Sequence, residues 1–156
     1  MKVIDFLAPD AVMPALAGAS KAEVLAEMAS FLAGRQSSGQ AIDARVLLGA
    51  LEERERLAST AIGDGIAIPH GKLATVDRVV GALGRSTTGI GFDAIDGKPT
   101  HLVFMLVTPA DAAGMHLQAL ARLSVLFRSS GFRQRLLAAP DGVTMYQTVA
   151  EEDAKH

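Results

Sequence analysis

The sequence predicts one α/β domain spanning residues 1–156, with a central mixed β-sheet flanked by α-helices on both sides. Three observations carry that prediction. A chain of 156 residues is close to the commonest size of a single domain and can bury a sizeable core. Segments with apolar residues at helical spacing alternate with short β-branched runs, but not as a strict strand–helix repeat, which points to a mixed sheet. The run Leu102-Val103-Phe104-Met105-Leu106-Val107 is apolar without alternation, the pattern of a strand covered on both faces.

In chain order, residues 3–7 read as a short strand or entry segment and residues 9–18 as irregular. Ser20 can cap a helix with Glu23 three residues on, and Val24, Leu25, Met28, Phe31 and Leu32 follow at helical spacing, so a helix is predicted over 21–33. Gly34 and the polar run 36–40 read as a loop. Asp43 can cap a second helix whose apolar face is Val46, Leu47, Ala50 and Leu51, with Arg54 and Arg56 in its last turn, where cations complement the helix dipole. Residues 78–85 read as a strand, 87–91 as a turn, and 92–99 as a segment ending in an Asp-Gly hairpin-type turn. Residues 101–108 are the clearest buried strand, expected at the centre of the sheet. A loop over 109–114 leads to a helix over 115–129 with Leu117, Leu120, Leu123, Leu126 and Phe127 in register, stopped by Gly131. Two short helices, 132–139 and 143–150, separated by Pro140-Asp141-Gly142, complete the chain.

Composition narrows the function. A formal charge of −2 with no basic stripe argues against a nucleic-acid binder built on phosphate contacts. The absence of cysteine rules out disulfides and thiolate metal sites and suits a reducing compartment. Asp5, Pro9, Asp10 and Pro14 interrupt any signal-peptide core, and the longest aliphatic run is far too short to span a membrane. A cytoplasmic protein is the expectation. The HExxH and CxxC patterns, the Walker A loop, the GxGxxG fingerprint and the GxSxG elbow are all missing, so no metal, nucleotide cofactor or serine nucleophile is expected.

One stretch reads as chemistry: Ile62-Gly63-Asp64-Gly65-Ile66-Ala67-Ile68-Pro69-His70-Gly71-Lys72. Gly63 and Gly65 flank Asp64 as a tight turn requires. Ile66, Ala67 and Ile68 form a short β-rich run, and Pro69, which lacks a backbone donor, is expected to end it. His70 then falls just past a strand end, with Gly71 leaving its ring open and Lys72 adding positive charge. Of the four histidines, His116 opens a predicted helix, His101 reads as structural, and terminal His156 is expected to be disordered. A neutral imidazole has one lone-pair nitrogen that can attack phosphorus when the other nitrogen donates a hydrogen bond that fixes the tautomer. The transferred group stays highly charged, so catalysis rests on donors aimed at its oxygens. His116 can supply one, Arg54 a bidentate fork and Lys72 a point charge. On the residues alone, a surface histidine after a turn and solvated cations account for the same pattern.

The run from Glu55 through Leu57, Ser59-Thr60, Ile62-Gly63 and Ile66-Ala67-Ile68-Pro69-His70-Gly71 resembles the active-site signature of the mannitol/fructose-type enzyme IIA proteins of the bacterial sugar phosphotransferase system. Gly-Asp-Gly-Ile-Ala-Ile-Pro-His-Gly-Lys is most similar to their nitrogen-regulatory branch. The resemblance covers about residues 20–150, with an echo in residues 92–97. It implies that His70 is the phosphoacceptor, forming a tele-phosphohistidine, and that Met115-His116-Leu117 holds the second active-site histidine. It aligns Arg54, sixteen residues ahead of His70, with the family arginine, Arg56 being the competing candidate, and gives Ser59 and Thr60 supporting places around the phosphate. Asp64 stands where relatives often have asparagine. The implied partners are a phosphohistidine-bearing HPr-like carrier and regulated proteins such as sensor kinases or potassium transporters. A sugar-specific IIA serving a separate membrane transporter, and a non-catalytic module acting by contact alone, are the alternatives.

Overall fold

A computed structural model describes residues 1–35 and 41–156; the loop expected over 36–40 lies outside the described residues. The described chain contains six strands, β1 (Val12–Met13), β2 (Ala61–Gly63), β3 (Ile66–Ala67), β4 (His70–Leu73), β5 (Val80–Ile90) and β6 (Thr100–Pro109). Its five α-helices are α1 (Lys21–Ala33), α2 (Ala44–Leu57), α3 (Ala113–Phe127), α4 (Ser130–Ala138) and α5 (Gly142–Ala154). The sheet is mixed, in the order β1-β5-β6-β3-β2, with β4 pairing β6 beyond β3. β5 runs antiparallel to β6, whereas β3 and β4 both run parallel to it.

β6 is central, as its unbroken hydrophobicity predicts, and alternation along it divides the core in two. Leu102, Phe104 and Leu106 join a cluster with Ala119, Leu123 and Leu126 of α3, Leu136 of α4 and Val149 of α5. Val103, Met105 and Val107 join the opposite cluster with Leu25 and Met28 of α1 and Leu47 and Leu51 of α2. Each of these six β6 side chains is at most 1% exposed, and each such burial is worth roughly 1.5–3 kcal/mol. Helices α1 and α2 therefore cover one face, and α3 to α5 the other.

Local chemistry sets the helix starts. Ser20 accepts from Glu23 N–H at 3.2 Å, and the Glu23 carboxylate reaches back one residue further than a regular capping box, to Ala19 N–H at 3.0 Å. Asp43 accepts from Arg45 and Val46 N–H at the start of α2, and Asp141 from Thr144 N–H at the start of α5. No described helix is long and apolar enough to cross a membrane.

Several boundaries differ from the sequence reading. Residues 3–5 form a 3₁₀ turn and not a strand, while Val12–Met13, inside the stretch read as irregular, pairs parallel to β5. β5 runs on through the expected turn at 87–91, which survives as a register shift between Arg85 and Ile90, with Gly89 at φ 88°. The Asp-Gly turn lies within the β5–β6 connection, closed by Gly97 N–H donating to Ala94 C=O at 3.0 Å. Helix α3 ends at Phe127, and Gly131 lies inside α4 because Ser129 caps a new helix by accepting from Phe132 N–H. Helix α5 continues to Ala154, and His156 is held, not loose: its ring pairs with Glu152 and its carbonyl accepts from Lys2 and Arg122. Asp153, 1% exposed, accepts from Ile4 N–H and from Arg122, tying the tail to the first turn.

Candidate functional site

The site lies at the free edge of the sheet, where β4 continues along β6 past β3. Gly63, Asp64 and Gly65, at φ 89°, 56° and 79°, make the turn between antiparallel β2 and β3. β3 ends at Ala67, in line with the sequence reading, but Pro69 does not take the chain off the sheet. Its missing N–H interrupts β3, but its carbonyl accepts from Leu106 N–H at 2.9 Å, so the chain stays on β6 and His70 becomes the first residue of β4, level with Leu106. Gly71 has a different reason from openness of the ring: a Cβ there would lie 3.3 Å from Ala50 Cβ, so the glycine lets α2 pack against β4.

The half-buried His70 ring is fixed at both nitrogens. Nδ1 lies 2.7 Å from the Ile68 carbonyl, which can only accept, so Nδ1 carries the hydrogen and Nε2 the lone pair. Arg54 Nε–H donates to Nε2 at 3.2 Å, and Arg54 Nη1 donates to Ala58 C=O at 2.8 Å beyond the end of α2. His116, in the first turn of α3, sets its ring edge-on to that of His70, with centroids 5.0 Å apart and planes at 60°. A buried 2.8 Å hydrogen bond joins His116 Nδ1 to Thr108 Oγ1 on β6. Arg54, His70, Lys72 and His116 line one cavity of about 420 Å³, together with Ala50 and the exposed Leu57.

Burial biases both rings toward the neutral form. Burial lowers the His70 pKa from its ordinary value, the Arg54 charge lowers it further, and the Ile68 carbonyl and Glu55 oppose them. His116 is pushed down to about 4 by burial first and then by the charges of His70, Lys72 and Arg54. The cavity, which the exposed Glu53 also lines, thus offers a ring nitrogen with a free lone pair beside two cations and a second ring, donors that can meet a dianionic group.

The structure brings Arg54, His70, Lys72 and His116 together and leaves other sequence candidates outside. Arg56 is exposed and does not line the cavity. Ser59 Oγ donates to Phe92 C=O and accepts from Ala61 N–H. Thr60 gives both its hydroxyl and its N–H, the latter at 3.0 Å, to the Glu55 carboxylate. These hydroxyls brace the segment behind the cavity, not its surface. Asp64 lines a different cavity, next to His101, whose Nδ1 donates to Ser86 C=O at 2.9 Å. Among the described residues, no group of three or more His, Asp or Glu is placed to hold a metal ion.

Two residues near the site have no role assigned to them in the sequence reading, although Glu55 opens the signature run. Glu55, its side chain 7% exposed, binds Thr60 and pairs with Lys21 of α1 at 3.0 Å, anchoring the end of α2 that carries Arg54. Thr108 was absorbed into the buried strand; the two-residue period that puts it on the same face as Leu106, the α3 face, was the available signal.

Comparison with known proteins gives four findings. A family model described as phosphoenolpyruvate-dependent sugar phosphotransferase system, EIIA 2, matches residues 5–152. The chain is 39% identical over 150 residues to a nitrogen regulatory protein of Bradyrhizobium diazoefficiens, covering 96% of this chain and 95% of that protein. It is 35% identical over 153 residues to a fructose-specific EIIABC component of Bacillus subtilis, covering 98% of this chain but 24% of that longer protein. The crystal structure of nitrogen regulatory protein IIA-Ntr from Neisseria meningitidis superposes with a TM-score of 0.85 at 31% identity, over 94% of this chain and 98% of that one.

Proposed function

The chain belongs to the EIIA type-2 family of the phosphoenolpyruvate-dependent sugar phosphotransferase system, and from that premise we propose that it is a cytoplasmic phosphorelay protein of the nitrogen-regulatory kind, with His70 as phosphoacceptor. The donor is a phosphohistidine on an HPr-like carrier. In the transfer, the donor's P–N bond breaks and its ring nitrogen regains the electron pair, while the His70 Nε2 lone pair forms the new P–N bond. The donor ring, protonated on its other nitrogen, leaves as a neutral imidazole, and His70 Nδ1 keeps its hydrogen on the Ile68 carbonyl, so the positive charge passes from ring to ring with the phosphoryl group and no proton has to move. Arg54, whose Nε–H caps Nε2 at rest, turns its guanidinium to the incoming oxygens, Lys72 adds charge, and His116 donates a ring N–H. The observation that carries the reading is the His70 ring, fixed so that its lone pair faces an arginine in an open cavity.

Phosphorylation adds roughly −1.5 to −2 of charge at the cavity mouth, where Arg54 and Lys72 stand. The output follows from that change: regulated proteins, of the sensor-kinase or potassium-transporter kind, distinguish the two forms by charge. The similarity to nitrogen regulatory proteins along almost their whole length supports this branch. The match to a fructose-specific component favours a second reading, in which the chain passes its phosphoryl group to a membrane transporter.

The test is incubation with a phosphorylated HPr-type carrier followed by mapping of the acid-labile label. The wild-type chain takes label and His70→Ala takes none; label persisting in His70→Ala overturns the assignment. Growth on fructose and mannitol unaffected by deletion separates regulation from transport, and partner capture unchanged by His70→Asp would support a module acting by contact alone.

A further inference from the structure

We infer that Thr108 is a positioning residue of this site: its hydroxyl donates to His116 Nδ1 and holds that ring in the tautomer with its hydrogen on Nε2. The assignment of the hydrogen stands on geometry alone, and its effect on transfer rate rests on the phosphoryl-transfer reading.

Thr108 is 0% exposed, near the end of β6, level with Lys72 of β4. It sits two residues beyond Leu106, whose side chain lies in the core cluster that α3 covers, so it stands under the first turn of α3. Its Oγ1 and His116 Nδ1 are 2.8 Å apart in a buried contact. A neutral imidazole has one ring hydrogen, and its place follows from what each group can satisfy. If Nδ1–H donated to Thr108, the threonine hydrogen would have no acceptor among the described residues, and a buried donor left unmade costs about 1–3 kcal/mol. With the hydroxyl donating, both groups are satisfied, and the ring hydrogen falls to Nε2.

The difference decides what His116 presents. An Nε2–H ring offers a donor to a phosphoryl oxygen, whereas the other tautomer offers a lone pair, which repels one. His70 needs the opposite arrangement and obtains it from a carbonyl, which can only accept.

The experiment compares the wild-type chain with Thr108→Val, which keeps the shape, and Thr108→Ser, which keeps the hydroxyl. Ring-nitrogen NMR near neutral pH on the unphosphorylated proteins reads the tautomer directly. The expected result is a His116 hydrogen on Nε2 in the wild-type and serine proteins and a mixture of tautomers in the valine protein. Transfer from a phosphorylated HPr-type carrier is expected to fall about tenfold in Thr108→Val, equivalent to about 1.4 kcal/mol, and to recover in Thr108→Ser. A hydrogen on Nδ1 of His116 in the wild-type protein, or a valine protein with the wild-type tautomer, overturns the inference. If the wild-type chain takes no phosphoryl group, the functional reading fails while the NMR result still decides the role of Thr108.

Discussion

His70 and His116 bring the same ring into one cavity, the first from the sheet edge, the second from a helix on one face, with Arg54 reaching in from the other face. His70 is half-buried; its Nδ1 is held by a carbonyl and its Nε2 meets a guanidinium. His116 is 8% exposed and its Nδ1 is held by a hydroxyl. Their chemistry differs because their partners differ. A carbonyl forces a hydrogen onto the nitrogen it faces, and a hydroxyl with no other acceptor gives its own hydrogen away. Two identical side chains 5.0 Å apart thereby face unlike partners, and the proposed mechanism uses that difference to make one a nucleophile and the other a donor.

Substitutions that touch one ring and spare the other test this division. The largest effect after loss of His70 is expected on its guanidinium partner. Arg54→Ala should slow transfer about 10²–10³-fold, with Arg54→Lys recovering only part because an ammonium cannot form the planar fork; a lysine variant as fast as the wild-type protein would show that charge alone matters. On the other ring, His116→Ala should cost about 10²-fold, and His116→Gln, which keeps an N–H donor, should cost less. A glutamine variant as slow as alanine would remove the donor role.

Titration separates the rings more gently. Both have lowered pKa values, so the acid limb of the transfer rate should have its midpoint below the ordinary 6.5. The same shifts set a stability trend. The unfolded chain binds protons on these rings at a pH where the folded one does not, so folding weakens as pH falls from about 6.5 toward about 4. Denaturant melts across that window should show a shallower slope for His116→Gln than for the wild-type protein. The smallest effect on transfer is expected from Glu55→Gln, which loosens the α2 end that carries Arg54 and leaves His116 alone. It should destabilise the chain by about 1–3 kcal/mol in denaturant titration, with a change in transfer rate smaller than that of Arg54→Ala.

The sequence made the layers legible because burial on both faces leaves an uninterrupted apolar strand, and Ser20, Asp43 and Asp141 mark helix starts through local capping. It misread features set by distant partners. Pro69 has the propensity of a strand end, yet its carbonyl is claimed by Leu106. Gly131 resembles a stop, yet Ser129 starts a new helix across it. The tail looked loose because Arg122 and Lys2, which hold it, are far away in the chain. Within the site, His70 and Lys72 stand in the glycine-spaced stretch itself, while Arg54 and His116 are reached through the family resemblance. The hydroxyls of Ser59 and Thr60 have buried partners that no spacing rule exposes, and for Thr108 the two-residue period gives the face but not the ring it meets.

The most direct test of the central claim is ring-nitrogen and phosphorus NMR of the chain after incubation with a phosphorylated HPr-type carrier. The account predicts phosphorus bonded to Nε2 of His70, with the hydrogen retained on Nδ1. Phosphorus on Nδ1 of His70, or on any other residue, would contradict it.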